Sequence, residues 1–177
     1  MAKKQLRKML CDLQSQECID LMRLIETQSK STLAAWAISY AKENYLTIYE
    51  EEYPGDLRLR EGISACEDYL RGGRRLTEIK PVLKEAAEIA RNLADQPVAQ
   101  AAARAVATAC AAIQTPTNAL GFLFYGAAAS AYHTAGLTQN AECYDRMALN
   151  EFIKAFQSLQ QVSFPDEPNP AKIKWNC

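Results

Sequence analysis

The chain has 177 residues, of which 49% are hydrophobic and 23% are charged, and its formal net charge is −1. This size and composition fit one globular domain with a substantial hydrophobic core. Because the charge is close to zero and no stretch approaches the roughly 20 apolar residues that span a bilayer, we expect neither a nucleic-acid partner nor a membrane.

The N-terminus and the cysteines predict a cytoplasmic location. Residues 1–8 are basic, but the apolar segment typical of a signal peptide does not follow them. The six cysteines are widely spaced and form no CxxC pair. In a chain of this size, such spacing favours reduced and mostly buried thiols over a disulfide framework.

Every predicted element is a helix, since glycine is scarce and no segment alternates apolar and polar residues. The first helix is predicted over residues 3–26. Its apolar stripe shifts by one residue near Ser15, which indicates curvature or a break. Ser29 or Ser31 is expected to cap the second helix, which continues to about residue 51.

The turn Tyr53-Pro54-Gly55-Asp56 separates the second helix from the third. Asp56 is the expected N-cap of the third helix, which spans about residues 57–71 and ends at Gly72-Gly73. A fourth helix is expected from Thr77 or Pro81 to about residue 94.

An alanine-rich segment is predicted to form the centre of the bundle. Nine of the fourteen residues in 99–112 are alanine, which has the highest helix propensity and a side chain small enough for neighbouring helices to approach closely. A further helix is expected after Thr115-Pro116 and stops near Gly136. The last helix is predicted from a Thr138 cap to about residue 160.

The predicted fold is thus an all-α, single-domain bundle of about seven helices in residues 1–160, with the alanine-rich helix at its centre. Residues 161–177 are predicted to form an extended C-terminal tail. Three prolines prevent a regular helix there: Pro165, Pro168 and Pro170. Phe164 and Trp175 are candidates for holding this tail against the bundle.

The sequence predicts no catalytic, cofactor-binding or metal-binding residues. The single histidine, His133, and the scattered cysteines do not provide the clustered ligands of a zinc site. GxSxG motifs and phosphate-binding glycine loops are absent, and Gly72-Gly73 is typical of a helix stop. The acidic run at residues 50–52 is typical of a solvated helix end. We therefore expect a protein that is not an enzyme and uses no cofactor.

A polar stripe on the third helix is the strongest candidate for a recognition surface. Arg60, Ser64, Glu67 and Arg71 are spaced i, i+4, i+7 and i+11, opposite the apolar face of this helix. The planar guanidinium group of arginine binds carboxylates bidentately and stacks on aromatic rings. We predict partner binding by six residues in and before this helix: Tyr53, Asp56, Arg58, Arg60, Glu67 and Arg71.

Two structural alternatives to recognition stay open for this stripe. The first is an ordinary solvated face stabilised by a Glu67–Arg71 pair. In the second, Arg58 and Arg60 tie the turn to the acidic run at residues 50–52 and so fix the junction of two helices.

The segment from about Trp36 to Tyr132 resembles the Imm-5-like family of immunity proteins, which belong to bacterial toxin systems. The resemblance begins with the YPGDLRLR sequence of residues 53–60, and the helix that follows ends in an aromatic residue and a glycine, Tyr69 and Gly72. It continues through the AAARA run of residues 101–105, the TNALG sequence of residues 117–121 and the YGA sequence of residues 125–127.

This resemblance implies a cytoplasmic protein that neutralises a cognate bacterial toxin by stoichiometric protein–protein binding, without catalysis. An alternative is a small-molecule-binding or enzymatic helical domain with a pocket near Tyr40, Arg60, Arg71, Tyr125 and Tyr132. A third hypothesis is a structural role through the tail of residues 162–177.

Overall fold

Seven helical rods make up the fold of residues 5–175, the part of the chain that the computed structural model describes, and these residues contain no β-strand. The helices are α1 (Gln16–Ile25), α2 (Lys30–Ala41), α3 (Thr47–Glu52), α4 (Arg58–Leu70), α5 (Leu76–Arg91), α6 (Pro97–Ala111), α7 (Asn118–Ala135) and α8 (Ala141–Val162). A π-helical turn, Lys42–Leu46, joins α2 and α3 into one rod. The prediction of an all-α bundle of about seven helices is confirmed.

The prediction of a first helix over residues 3–26 is wrong for residues 5–15, and its first two residues lie outside the described part of the chain. The Ser15 side chain accepts a hydrogen bond from the Cys18 N–H (3.3 Å) and caps a helix that begins only at Gln16. Before this cap, the backbone is engaged by another helix: the N–H of the buried Leu10 donates to the carbonyl of Phe124 in α7 (3.1 Å).

The alanine-rich helix α6 lies at the centre of the bundle, as predicted. Ten of its fifteen residues are buried, and it contacts α2, α3, α4, α5, α7 and the π-helical turn. Alanine makes these contacts feasible because a short side chain lets several helix axes approach one another.

The π-helical turn aligns two tyrosines that a regular helix would separate. Tyr40 and Tyr45 are five residues apart, so an α-helix of 3.6 residues per turn would place them on different sides. The π-helical turn is hydrogen-bonded between residues five apart and brings both to the same side. Their rings lie 5.7 Å apart between centroids, and both hydroxyl groups reach the Glu151 carboxylate in α8.

Gly126 gives the Tyr45 ring its place against α7. A Cβ atom built at Gly126 would overlap the ring and hydroxyl atoms of Tyr45. Gly121, one turn and a half earlier in the same helix, has only ordinary van der Waals neighbours at its Cβ position, the nearest at 3.6 Å. The glycine at position 126 therefore serves helix packing.

Residues 163–175 form a strap that lies against the loop between α1 and α2. The buried Gln28 side chain accepts a hydrogen bond from the Phe164 N–H (2.9 Å) and donates one to its carbonyl (3.0 Å). The Ala171 N–H donates to the Gln28 carbonyl (2.8 Å), and Trp175 Nε1 donates to Glu26 (2.6 Å). Trp175 thus contacts the bundle, whereas the Phe164 ring is 58% exposed and that residue is held by its backbone.

Glu167 of the strap completes the start of α2. Its carboxylate accepts hydrogen bonds from the Ser29 N–H (2.9 Å), the Ser29 hydroxyl (2.7 Å) and the Thr32 hydroxyl (2.6 Å). Against the opposing effect of burial, the hydrogen bonds from Thr32 and Ser29 lower the pKa of Glu167. A carboxylate at a helix N-terminus also interacts favourably with the helix dipole.

We expect Gly126→Ala to destabilise the protein by about 1–3 kcal/mol, because the Tyr45 ring must move in a core that has no space for it. Gly121→Ala is the matched control in the same helix and should be neutral or stabilising by up to roughly 1 kcal/mol through helix propensity. Urea denaturation of both variants measures the difference. Equal stability of the two would show that α7 does not constrain the Tyr45 ring.

Ala103→Leu and Ala105→Leu should each lower the free energy of unfolding by roughly 1–3 kcal/mol, since both positions are fully buried in α6 and a larger side chain overpacks the bundle. Ala111→Leu, at the half-buried end of the same helix, is the control and should have a smaller effect. If neither substitution at the buried positions changes the free energy of unfolding in a denaturant melt, the central placement of α6 is contradicted.

Candidate partner-binding face

The turn before α4 is held by a network centred on the Asp56 carboxylate. It accepts hydrogen bonds from the Tyr49 hydroxyl (2.7 Å), from the Arg58 N–H (3.1 Å) and bidentately from the Arg58 guanidinium (2.9 and 2.7 Å). Asp56 was predicted as the N-cap, but Leu57 occupies that position. Asp56 instead accepts the N–H of the first helical residue, so it still serves the start of the helix.

Hydrogen bonding and burial shift the pKa values in this network. The hydrogen bonds from Arg58, more than any other cause, hold the pKa of Asp56 well below its usual range. Burial, followed by the hydrogen bond to Asp56, raises the pKa of Tyr49 to about 12. The three side chains therefore keep one protonation pattern, with Asp56 ionised and Tyr49 neutral, across the physiological range.

Arg60 forms a bidentate ion pair with Glu50 of α3, with both N–O distances at 2.6 Å. This is the contact expected if the arginine ties the turn to the acidic run, and it joins α3 to α4. Arg58 does not reach that run and pairs with Asp56 inside the turn. Of the five N–H donors of the Arg60 guanidinium, two are used by Glu50, which leaves three for another acceptor.

The predicted Glu67–Arg71 pair is wrong. Glu67 accepts hydrogen bonds from the Lys42 ammonium (3.0 and 3.3 Å), which comes from the neighbouring rod. Arg71 pairs with Asp68 (2.5 Å) on its own helix, and Arg74 lies 3.6 Å from the same carboxylate. The ion-pair partner of Glu67 therefore comes from a neighbouring helix and cannot be predicted from residue spacing along α4 alone.

The six predicted residues fall into two groups at the two ends of α4. Tyr53, Asp56, Arg58 and Arg60 lie at its start, and Glu67 and Arg71 at its end, with Arg60 and Arg71 separated by roughly 16 Å along the helix axis. The three arginine side chains are 45–67% exposed, whereas Tyr53, Asp56 and Glu67 are half-buried. We call this surface of six residues the α4 face.

The residues of the alternative small-molecule pocket do not converge. Tyr40 is buried beside Glu151, whereas Arg60 pairs with Glu50 and Arg71 with Asp68. Tyr125 lies under the Arg104 guanidinium (5.9 Å to the ring centroid). Of the five, only Tyr132 lines a cleft of about 1180 Å³ between the N-terminal segment and the starts of α6 and α8.

A buried carboxylate was missed by the sequence analysis. Glu151 is 8% exposed, and a single oxygen of it accepts hydrogen bonds from the Tyr40 (2.8 Å) and Tyr45 (2.6 Å) hydroxyls. Burial, and then the Glu151 charge, raise the pKa of both tyrosines, so they remain donors. The available signal was a charged residue on the apolar stripe of α8, between Ala148 and Phe152.

The remaining candidates for chemistry have ordinary structural surroundings. His133 lies in the last turn of α7 with its Nε2 atom 3.2 Å from Glu51. Within residues 5–175, no three His, Cys, Asp or Glu side chains are grouped so that they could hold a metal ion. Over the same residues, no helix has the length and hydropathy needed to cross a membrane.

Residues 23–151 match the model of a protein family described as Imm-5 like putative immunity protein. This range includes the α4 face, the central helix α6 and both partners of the Arg60–Glu50 ion pair. Neither the comparison with curated proteins nor the comparison with solved structures gave a match.

Arg60→Ala and Arg71→Ala are each expected to change the melting temperature by less than about 3 °C, because both arginine side chains are at least 45% exposed and their ion pairs are screened by water and salt. Arg58→Ala is the internal comparison and should be more destabilising, since the hydrogen bonds of Arg58 are the largest cause of the lowered pKa of Asp56 and so stabilise the folded state. Thermal unfolding followed by circular dichroism tests both statements. A loss of many degrees in Arg60→Ala would identify this arginine as a structural clamp.

Proposed function

Because the chain belongs to the family of Imm-5 like putative immunity proteins, we propose that it binds a cognate bacterial toxin protein and neutralises it as a stoichiometric complex. The family match over well over half of the chain carries this proposal. The protein would act in the cytoplasm of the toxin-producing cell, without a cofactor and without catalysing a reaction.

The α4 face is the surface that we propose for toxin binding. Its arginines are held in place before a partner arrives: Arg58 by Asp56, Arg60 by Glu50 and Arg71 by Asp68. Side chains that are already ordered lose less conformational entropy on binding. Arginine and tyrosine are also the residue types enriched among binding hot spots.

The surroundings of the ionisable side chains agree with a binding protein. Glu151 is closed off by two tyrosine hydroxyls that keep its carboxylate hydrogen-bonded. Asp56 is neutralised by the Arg58 guanidinium. Each of these carboxylates has a role in holding helices together, and the exposed polar side chains of the α4 face are suited to recognition.

Co-expression with the toxin encoded next to its gene tests the proposal. We expect this protein to protect cells and to co-purify with the toxin at an equal molar ratio. Titrating the purified proteins separates the mechanisms: residual toxin activity should fall in proportion to the amount added and reach zero at equivalence. Full inactivation by a small fraction of an equivalent would demonstrate catalysis and overturn the stoichiometric mechanism.

Variants of the α4 face locate the site. Arg60→Ala combined with Arg71→Ala should weaken toxin binding by roughly tenfold or more, the effect expected of hot-spot arginines. Arg91→Ala is the matched control, because Arg91 is about as exposed as Arg71 and, like it, forms an i, i+3 ion pair, here with Glu88 on α5. Unchanged toxin binding by the folded double variant would place the interface on another surface, and failure of the unmodified protein to protect would reject the immunity function itself.

A further inference from the structure

A cleft of about 1180 Å³ lies on a different part of the molecule from the α4 face. It is lined by the N-terminal segment of residues 5–8, by the first turns of α6 and α8, and by Tyr132 near the end of α7. It shares no lining residue with the α4 face. Its size is that of a site for a small organic ligand, which typically occupies a few hundred to about 1,000 Å³.

The wall formed by the N-terminal segment is fixed by tertiary contacts. The Tyr132 hydroxyl donates to the carbonyl of Arg7 (2.6 Å), and the Arg7 guanidinium pairs with Asp145 of α8 (2.7 Å). Two residues further on, the buried Leu10 is hydrogen-bonded to α7. The cleft therefore has a wall tied to both α7 and α8 and is formed before any ligand binds.

The cleft is cationic. Arg7, Lys8 and Arg104 line it, and its lining includes no Asp or Glu. Arg7 is paired with Asp145, but no carboxylate of residues 5–175 lies within ion-pair distance of the half-buried Arg104. Its guanidinium lies over the face of the Tyr125 ring, 5.9 Å from the centroid.

Arg104 favours an anion in this cleft for a physical reason. Arginine cannot lose its proton in a protein, so it cannot relieve the cost of partial burial by becoming neutral. A negative group from a ligand would supply the missing partner. The first turns of α6 and α8 also contribute the positive ends of two helix dipoles to the same cleft.

The rest of the lining favours an apolar ligand body. Tyr132 and Tyr144 form an edge-to-face pair with their centroids 4.9 Å apart, and their hydroxyls are occupied by the carbonyls of Arg7 and Gly136 (both 2.6 Å). Both tyrosines are buried, 3% and 4% exposed, so they support the floor of the cleft and present little surface to a ligand. Alkyl side chains, including those of Leu6, Pro97 and Leu137, complete the surface.

We propose that this cleft binds a small organic anion with an apolar body, the anionic group on Arg104 and the body against the alkyl side chains of Leu6, Pro97 and Leu137. The ligand class is an aromatic or aliphatic carboxylate, sulfonate or phosphate. This site is independent of toxin binding, so its test requires no toxin and can fail while the proposed immunity function holds.

Three probes distinguish the contribution of the ligand's charge to binding from that of its apolar body. Anilinonaphthalene sulfonate has both, N-phenyl-naphthylamine has nearly the same body without the charge, and inorganic phosphate has the charge alone. We expect fluorescence titration to show anilinonaphthalene sulfonate binding at one site about tenfold or more tightly than the neutral analogue. Phosphate should displace it only weakly. Equal affinity for the charged and neutral probes, or phosphate binding as tightly as the sulfonate, would overturn the proposal.

Variants assign the binding to the cleft. Arg104→Gln should weaken the sulfonate about tenfold and leave the neutral probe unchanged, whereas Arg104→Lys, which keeps the charge, should lie between the two. Ala141→Trp fills the cleft from the exposed first position of α8 and should abolish binding of both fluorescent probes. Arg91→Gln, an exposed arginine outside the cleft, is the control and should bind normally.

Thermal melts of these variants verify that each is folded before its affinity is compared. If the folded Arg104→Gln and Ala141→Trp variants bind anilinonaphthalene sulfonate as the unmodified protein does, the probe occupies another surface and the assignment of the cleft is wrong.

Discussion

The burial of one carboxylate constrains the helices around it. An ionised carboxylate removed from water is destabilising by several kcal/mol unless hydrogen bonds replace its hydration, and Glu151 receives them from Tyr40 and Tyr45. The two donors reach it together only because the second rod widens into a π-helical turn, and Tyr45 fits only beside Gly126. These contacts therefore fix the relative positions of four elements: α2, the π-helical turn, α7 and α8.

The sequence predicted what is encoded locally. Apolar spacing, alanine content and the turn before α4 gave the helices and the central position of α6, because each of these signals acts within a few residues. The non-helical segment before Ser15 was missed because the leucine spacing there resembles a helix, whereas its backbone is engaged by Phe124 far along the chain. The same holds for the partners of Glu67 and Glu151, since their donors come from other rods and no single-helix pattern contains them. The binding role of the six residues of the α4 face stays a prediction.

The two candidate recognition surfaces use arginine in different electrostatic settings. On the α4 face, Arg60 already has the Glu50 carboxylate, so a partner gains an oriented group whose charge is largely compensated. In the cleft, Arg104 has no such compensation from the described residues. Binding at the α4 face should therefore depend mainly on shape and hydrogen-bond geometry. Binding in the cleft should depend mainly on charge and weaken more steeply as salt is added.

The strap has a consequence for how the protein forms during translation. The ribosome makes Ser29 and Thr32 before Glu167, whose carboxylate completes their hydrogen bonds and which is separated from Ser29 by 138 positions. The Gln28 side chain likewise lacks its hydrogen bond from the Phe164 N–H until Phe164 has been synthesised. The corner between α1 and α2 is thus synthesised well before it can be completed, because its closing contacts are of high sequence separation. Until the strap emerges, a nascent chain exposes the start of α2 to chaperones and proteases, whichever helices have already packed.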